Sequence, residues 1–439
     1  MVNIKGFRAY TVNPSIVNEM PIEADDYLNF QLGQSIVRES DTFLKVNYPE
    51  FLFEEKFAKD HENRQDVLEE GKKNLQRFLK ENKFIKQKEE MIYVYSQLWQ
   101  GHEQTGFLLC VDNDDYTSGK IVPHEQTFSY KVDRLAKGAE VLGIFNSFPL
   151  AFGDFDAYCT EILERTVKNN KPHLQVTIND IDNRLYELEG AVVETLKTHF
   201  KELERLYIGD GHHRFKAYSE VVERMKKSGN IKEDQRYFPI VVYPMNKLQI
   251  LSYHRYVKNV PNFSGLEFIS KARKYFKIEE IVLNGKKSSA QKIVILEDYI
   301  RHDKKGYFVI FLNDLDKWFT LNVLPHTPKD IIDSIDVSYF STKLFKEILG
   351  LNDLTSTKHF EFHYENREQF LMIEKCCKAS KEINMAVVCP RIKLEEVQMV
   401  ADAKLCMPPK STFVYPKPII GLLFKAFKDI KTDDLTIEN

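Results

Sequence analysis

Five consecutive positions, Asp210-Gly211-His212-His213-Arg214, place one carboxylate, two imidazoles and one guanidinium around a glycine. A strand-like run, Leu203 to Ile208, leads into them. A helical stripe follows, with Phe215, Tyr218, Val222 and Met225 at spacings of three and four. Lys226, Lys227 and Gly229 are C-terminal helix signals. The polar cluster therefore falls on a strand-to-helix turn. Open backbone N–H groups at a helix start favour anions, phosphate above all. Taken singly, Asp210 reads as an N-cap, Gly211 as a turn residue, and the histidines and Arg214 as solvated helix residues. Taken together at one turn, they favour a phosphate or carboxylate site. Zinc fits less well. Neighbouring helix positions do not share a face, and no H-E-x-x-H or paired C-x-x-C occurs.

Three more constellations carry chemistry. Pro123-His124-Glu125-Gln126-Thr127, followed by Asp133-Arg134, sets a carboxylate beside an imidazole. That pair suits a general base or a metal ligand, and equally an exposed loop. Met407-Pro408-Pro409-Lys410-Ser411-Thr412 runs on to Tyr415-Pro416-Lys417-Pro418. Its prolines force extended backbone, with Phe413 and Tyr415 on one face and Lys410, Thr412 and Val414 on the other. A lysine with two hydroxyls can hold phosphate oxygens, or this is an edge strand with ordinary polarity. Tyr253-His254-Arg255 follows a strand-like run and either reaches an anion or closes a strand end. Asn284-Gly285-Lys286-Lys287-Ser288-Ser289 looks like the end of a P-loop, but Glu280 stands where the first glycine belongs. Protein-kinase motifs are also missing.

The elements that must position these groups form a mixed pattern. Charged Glu54 to Asn82 carries apolar residues at helical intervals. Met91 to Tyr95 and Gly106 to Val111 read as strands, Ala191 to Leu203 as a helix, and Phe238 to Tyr243 as a buried strand. The Asp210 turn thus sits inside a strand–helix–strand unit. After Val260 the texture changes. Phe263 to Ile281 reads as helix, Phe308 to Leu312 and Trp318 to Leu324 as a strand pair, Ser338 to Leu349 as a helix stopped at Gly350, and Met385 to Cys389 as a strand halted at Pro390. The tail beyond Asp429 is polar. The chain has 439 residues, 43 % of them hydrophobic, which is enough for large cores. A net charge of -3 argues against a binder that works by neutralising nucleic-acid phosphates. The six cysteines fit neither a disulfide framework nor a zinc ribbon. No apolar run approaches the roughly 18 residues of a membrane helix, and the first residues lack a signal-peptide pattern. A cytoplasmic chain without nucleic-acid or membrane partners, monomeric or homodimeric, is expected.

In this order the constellations resemble a family long catalogued as a domain of unknown function with a D-G-H-H-R signature. Some of its members are pyrophosphate-dependent free-serine kinases. The resemblance also takes in Ser40 to Val46 with Pro49-Glu50, Gln104-Thr105-Gly106, Ser252 to Arg255 and Asp336-Val337-Ser338. The D-G-H-H-R turn and the P-H-E run are similar to those of archaeal nucleotide-dependent free-serine kinases of the ParB/sulfiredoxin-like fold. Two positions depart from the family pattern. Pro21-Ile22-Glu23 stands for a P-Y-D run, and Phe128 stands where an arginine often follows H-E-x-T.

The resemblance implies an α/β (α+β, mixed-sheet) protein. Its ParB/sulfiredoxin-like core would span 101–260, between an N-terminal α/β region, 1–100, and a C-terminal one, 261–439. It implies phosphoryl transfer from pyrophosphate to the hydroxyl of free L-serine, with magnesium as cofactor. Glu125, Asp210 and His213 would be catalytic, with Glu125 the base and Asp210 holding the metal. Gly211, His212, His213 and Arg214, with Lys410, Ser411 and Thr412, would bind phosphate. His124, Thr127, His254 and Arg255 would bind substrate, Arg255 at its carboxylate. ATP or ADP as donor, a ParB-like nucleotide-binding regulatory module, and a phosphatase using water as acceptor are the other classes this cluster could serve.

Overall fold

The computed structural model describes all residues except 24–28, 56–63, 230, 284–294, 297–298, 300–303, 366, 409 and 431–439; side chains 367–371 are also left undescribed. The P-loop-like run 284–289 and the end of the polar tail lie outside the described residues. The chain divides into two units. The first comprises 1–248 with 416–439, the second 249–415.

The first unit is built on a mixed nine-stranded sheet. Its strands are β1 (Ile4–Lys5), β2 (Ile92–Trp99), β3 (His102–Asp112), β4 (Ile121–Val122), β5 (Leu150–Gly153), β6 (Leu174–Ile178), β7 (Ile181–Leu188), β8 (Leu206–Asp210) and β9 (Tyr237–Pro244). The order is β4-β8-β5-β9-β3-β2-β7-β6, with β1 beside β3. β4 runs parallel to β8 and β5 parallel to β9; the other pairs are antiparallel. Helices α1 (Gln65–Lys80), α2 (Ser129–Leu142), α3 (Ala191–Glu202) and α4 (His212–Lys227) are among the unit's other elements.

The strand–helix–strand expectation around Asp210 is met by β8, α4 and β9. The two strands are not neighbours, however, because β5 lies between them. Helix α4 buries the predicted stripe. Phe215, Tyr218 and Val222 are enclosed, and Phe215 meets Phe238 of β9 edge-on at 5.5 Å. Met225 packs against the same core.

The second unit carries an antiparallel six-stranded sheet. Its elements include β10 (Ile250–Leu251), β11 (Tyr253–Lys258), α5 (Gly265–Ala272), β12 (Phe276–Ile281), β13 (Tyr307–Leu312), β14 (Lys317–Val323), α6 (Asp336–Phe340), β15 (Phe360–Tyr364), α7 (Arg367–Ala379), β16 (Ile383–Val388) and β17 (Phe413–Val414). The sheet order is β12-β14-β13-β16-β11-β15, and β10 pairs with β17 apart from it. Helix α6 continues into a π-helix, Ser341–Ile348, and the chain turns at Gly350 with φ 71°. The expected helix over 263–281 holds only to Ala272. Beyond the turn, aromatic and β-branched residues of Phe276–Ile281 pair along β14.

Three segments were expected and two units are found. Strand β2, from the first segment, lies between β3 and β7. The chain end returns too, as Lys425 pairs with Phe145 and Phe424 with Tyr10. The change of unit comes at Leu248, ahead of the expected Val260. No described helix is long and apolar enough to cross a membrane.

Candidate active site

Asp210 ends β8, and Gly211 is the N-cap of α4, at φ 83° and ψ 32°. That left-handed backbone is open to glycine and strained for other residues. A Cβ here would also meet Pro149 at 3.0 Å. Gly211 brings no side chain to cap α4, and the first turn has no acidic residue. The positive end of a 16-residue helix dipole thus opens at this turn without an acidic residue in its first turn.

His212 is 3 % exposed and lies between two predicted residues. Its Nε2 accepts the backbone N–H of His124 at 3.4 Å, and its Nδ1 is 3.4 Å from Glu125 Oε2. Burial first, and then His124 and His213, hold its pKa well below the usual imidazole range. With Nε2 accepting, the proton of the neutral ring belongs on Nδ1, where it points at Glu125. Both ring nitrogens are thus engaged within the protein, and His212 orients Glu125 rather than facing a ligand. Glu125 keeps 36 % of its side chain exposed, so its carboxylate is open to solvent. His124 is buried and stands edge-on to His212 at 4.5 Å. Burial pulls its pKa down to about 4, against a hydrogen bond to the Ile208 carbonyl and the charge of Asp210.

His213 Nε2 accepts the N–H of Phe128 at 3.1 Å, and the two rings stack at 5.8 Å. Phe128, the departure from the family pattern, thus lies along this histidine. Arg214 is half-buried and acts on Tyr218 one turn later. Thr127 is exposed beside Phe128. These placements gather Asp210, Gly211, His212, His213, Arg214, His124, Glu125 and Thr127 around one helix start.

Sequence reasoning assigned no role to several neighbours. Lys417 Nζ lies 3.4 Å from Asp210 Oδ2, and Lys417 is mostly buried. A buried polar network fastens its segment to the sheet. Gln97 donates to the Lys417 carbonyl at 2.9 Å, Gln104 to the Pro416 carbonyl at 3.0 Å, and the Ile419 N–H donates to Tyr95 Oη at 3.2 Å. On the other side, Tyr218 Oη donates to the Ser147 carbonyl at 2.8 Å and accepts its N–H at 3.2 Å. Asn146 Nδ2 donates to Asn47 Oδ1 at 2.9 Å. Glu50, in the matched N-terminal block, has its pKa raised by burial against the charge of Arg134. Gln97 and Gln104, amide side chains fully buried on neighbouring strands, were the available signal for the network. Nothing local marked Asn146 or Ser147.

Among the described residues no group of three His, Cys, Asp or Glu side chains is placed to hold a metal ion. Asp210 stands as a single carboxylate. That suits magnesium carried mainly by phosphate oxygens and water, and does not suit a cage made of protein ligands.

Five predicted residues belong to the second unit. Lys410 lies over the Tyr253 ring at 5.3 Å. Ser411 Oγ donates to the Pro408 carbonyl at 2.6 Å, and Thr412 leads into β17, where Phe413 and Tyr415 stack on one face as expected. His254 is buried, and Arg255 lies in the interior beside Ser341. Glu23 accepts a hydrogen bond from Asn179 at 2.6 Å in the first unit.

Residues 4–338 match the model of a family described as a protein of unknown function (DUF1015), and the chain belongs to that family. The match holds the Asp210–Arg214 signature and stops short of Met407–Lys417. No curated protein matches the sequence. Among solved structures, a free serine kinase in complex with AMP is 14 % identical; the likeness covers 72 % of this chain and 92 % of that one, with a TM-score of 0.31. A conserved hypothetical protein from Pyrococcus furiosus is 14 % identical over 72 % and 95 % of the two chains, with a TM-score of 0.29. SbnI from Staphylococcus aureus, with a C-terminal truncation, is 9 % identical over 72 % and 87 %, with a TM-score of 0.34.

Proposed function

We propose that this chain is a kinase that moves a phosphoryl group from pyrophosphate to the hydroxyl of free L-serine, giving O-phospho-L-serine. The observation that carries the proposal is the pairing of Glu125 with a neutral, buried His212 beside the start of α4, where the N-cap is Gly211. A proton acceptor and an anion-binding helix end belong to one unit and touch through one residue. The family resemblance supplies the serine and the pyrophosphate.

Phosphoryl transfer asks a protein mainly for positioning and charge neutralisation. The first-turn N–H groups, His213 and Arg214 receive the donor phosphates, with Lys417 adding positive charge next to Asp210. Glu125 takes the serine hydroxyl proton as that oxygen bonds to phosphorus. The bond from phosphorus to the bridging oxygen breaks, and orthophosphate leaves with the electron pair. Asp210 is the carboxylate that would hold magnesium, which supplies neutralisation of donor charge when bound.

Incubating the protein with L-serine, magnesium and either pyrophosphate, ATP or ADP, and measuring phosphoserine, tests the reading. Product with pyrophosphate supports it in full. Product with a nucleotide alone keeps the kinase and changes the donor. Phosphate release that is independent of serine would mark a phosphatase instead.

A further inference from the structure

Glu50, in the first unit, is a half-buried carboxylate in the short 3-10 helix Pro49–Leu52. Its segment is held against α1, where a Cβ on Gly71 would meet the Val46 carbonyl at 2.9 Å and Pro49 at 3.2 Å. Burial raises the pKa of Glu50, and its own backbone N–H and the charge of Arg134 on α2 work against that rise. Arg134 acts at a distance, and Glu50 forms no ion pair among the described residues. An enclosed carboxylate in that state is costly unless a cation completes it.

The surroundings lead from Glu50 to the start of α4. Asn47, three residues earlier, accepts from Asn146 Nδ2 at 2.9 Å. From there the chain runs back along α4 towards its first turn. Phe145 packs on Tyr218 at 4.5 Å, Tyr218 Oη holds both backbone groups of Ser147, and Pro149 lies against Gly211. On the other side, α2 begins beside His213 and reaches Arg224 at Glu140. Glu50 therefore faces Arg134 of α2 and is tied through Asn47 to the segment that ends at Gly211. Arg214 belongs to the same side of α4, because its charge acts on the Tyr218 hydroxyl.

A second unanswered group lies on this path. Ser147 is 6 % exposed, and its Oγ is enclosed without a hydrogen-bond partner among the described residues. An orphan hydroxyl of this kind marks a place where a partner is missing. The charges choose the partner. Phosphate is repelled by Glu50, and a neutral alcohol leaves that carboxylate unanswered. An ammonium group carries three donors and a positive charge, which answer both Glu50 and an accepting hydroxyl.

We infer that Glu50 receives the α-ammonium group of the acceptor, with Ser147 Oγ accepting beside it, so that this edge of the site selects amino acids over other hydroxy acids. The inference rests on the kinase reading for the identity of the acceptor.

The test titrates the full chain calorimetrically with L-serine and with 3-hydroxypropionate, the same molecule without its amine. The wild type binds L-serine at least about tenfold more tightly, the worth of a hydrogen bond to a charged group. Glu50→Gln loses that advantage and binds 3-hydroxypropionate as before. Its thermal melt is no lower than the wild type's, because burial opposes the charge it removes. Ser147→Ala weakens L-serine binding severalfold and keeps its melt, since no hydrogen bond is lost in the free protein. A wild type that does not prefer L-serine would overturn the inference. So would an equal loss of both ligands in Glu50→Gln. Phosphoserine assays separate this outcome from that of the kinase reading. Phosphoserine formed with an unchanged KM for serine in Glu50→Gln overturns the ammonium site and leaves the kinase. Glu50-dependent serine binding without phosphoserine from any donor keeps the site and overturns the kinase.

Discussion

Glu125 and His212 form the residue pair on which the chemistry turns, because a neutral imidazole can aim a carboxylate without neutralising it. Glu125→Gln is expected to slow phosphoserine formation by about a hundredfold or more, the range for loss of a general base. Near-normal turnover in that variant would remove Glu125 from the role. His212→Ala leaves Glu125 unaimed and should lower kcat with KM for serine less affected, whereas an equal fall in affinity would point to direct binding. The two buried histidines also set a pH dependence. In the unfolded chain both titrate near 6.5, while in the fold His124 is pulled down to about 4 and His212 well below its usual range. The unfolded chain therefore takes up protons first as pH falls. Stability is full above about 6.5 and is lost progressively towards about pH 4. The His124 shift alone is on the order of 3 kcal/mol. Urea midpoints across that range should fall, and His124→Asn should flatten the slope; a wild-type midpoint constant over the range would contradict this. The Asp210–Arg214 cluster was legible because it is contiguous. What His212 does was not, because Glu125 and His124 reach it from a remote loop. Lys417 was hidden for the same reason, since only the folded Gln97–Gln104 network carries it to Asp210.

Helix α4 is the element that turns those residues into a site. Its apolar stripe fixes its roll, and Gly211 fixes where it begins. Phe215 is fully buried between Phe238 and Tyr116. Phe215→Ala should cost about 3–5 kcal/mol, seen as a lower urea midpoint. Gly211→Ala adds about 1–2 kcal/mol of backbone strain and a contact with Pro149. It should therefore abolish phosphate binding out of proportion to its loss of stability; a variant that binds phosphate normally would show that the turn is not the anion site. The stripe at Phe215, Tyr218 and Val222 made α4 readable in advance, because one face meets one core. Phe276–Ile281 was not readable. Its apolar residues suit either period until β14 supplies a partner.

At the scale of the molecule, the chain is two units, with its last described segment returned to the first. The sequence pattern gave no warning of that return, because pairing between Tyr10–Val12 and Leu423–Ala426 leaves no local signal. It places Lys417 in the same unit as Asp210, while Lys410, Ser411 and Thr412 remain in the other. Lys417→Met should therefore weaken the proposed catalysis more than Lys410→Met, as read by kcat/KM for pyrophosphate. The reverse order would move the cationic wall to the second unit. The most direct measurement of the whole account is phosphoserine formation from free L-serine with pyrophosphate and magnesium, run beside Glu125→Gln. The account predicts phosphoserine and orthophosphate in equal amounts from the wild type, and at most about one hundredth of that rate from the variant. Absence of phosphoserine with pyrophosphate, ATP and ADP alike would contradict it.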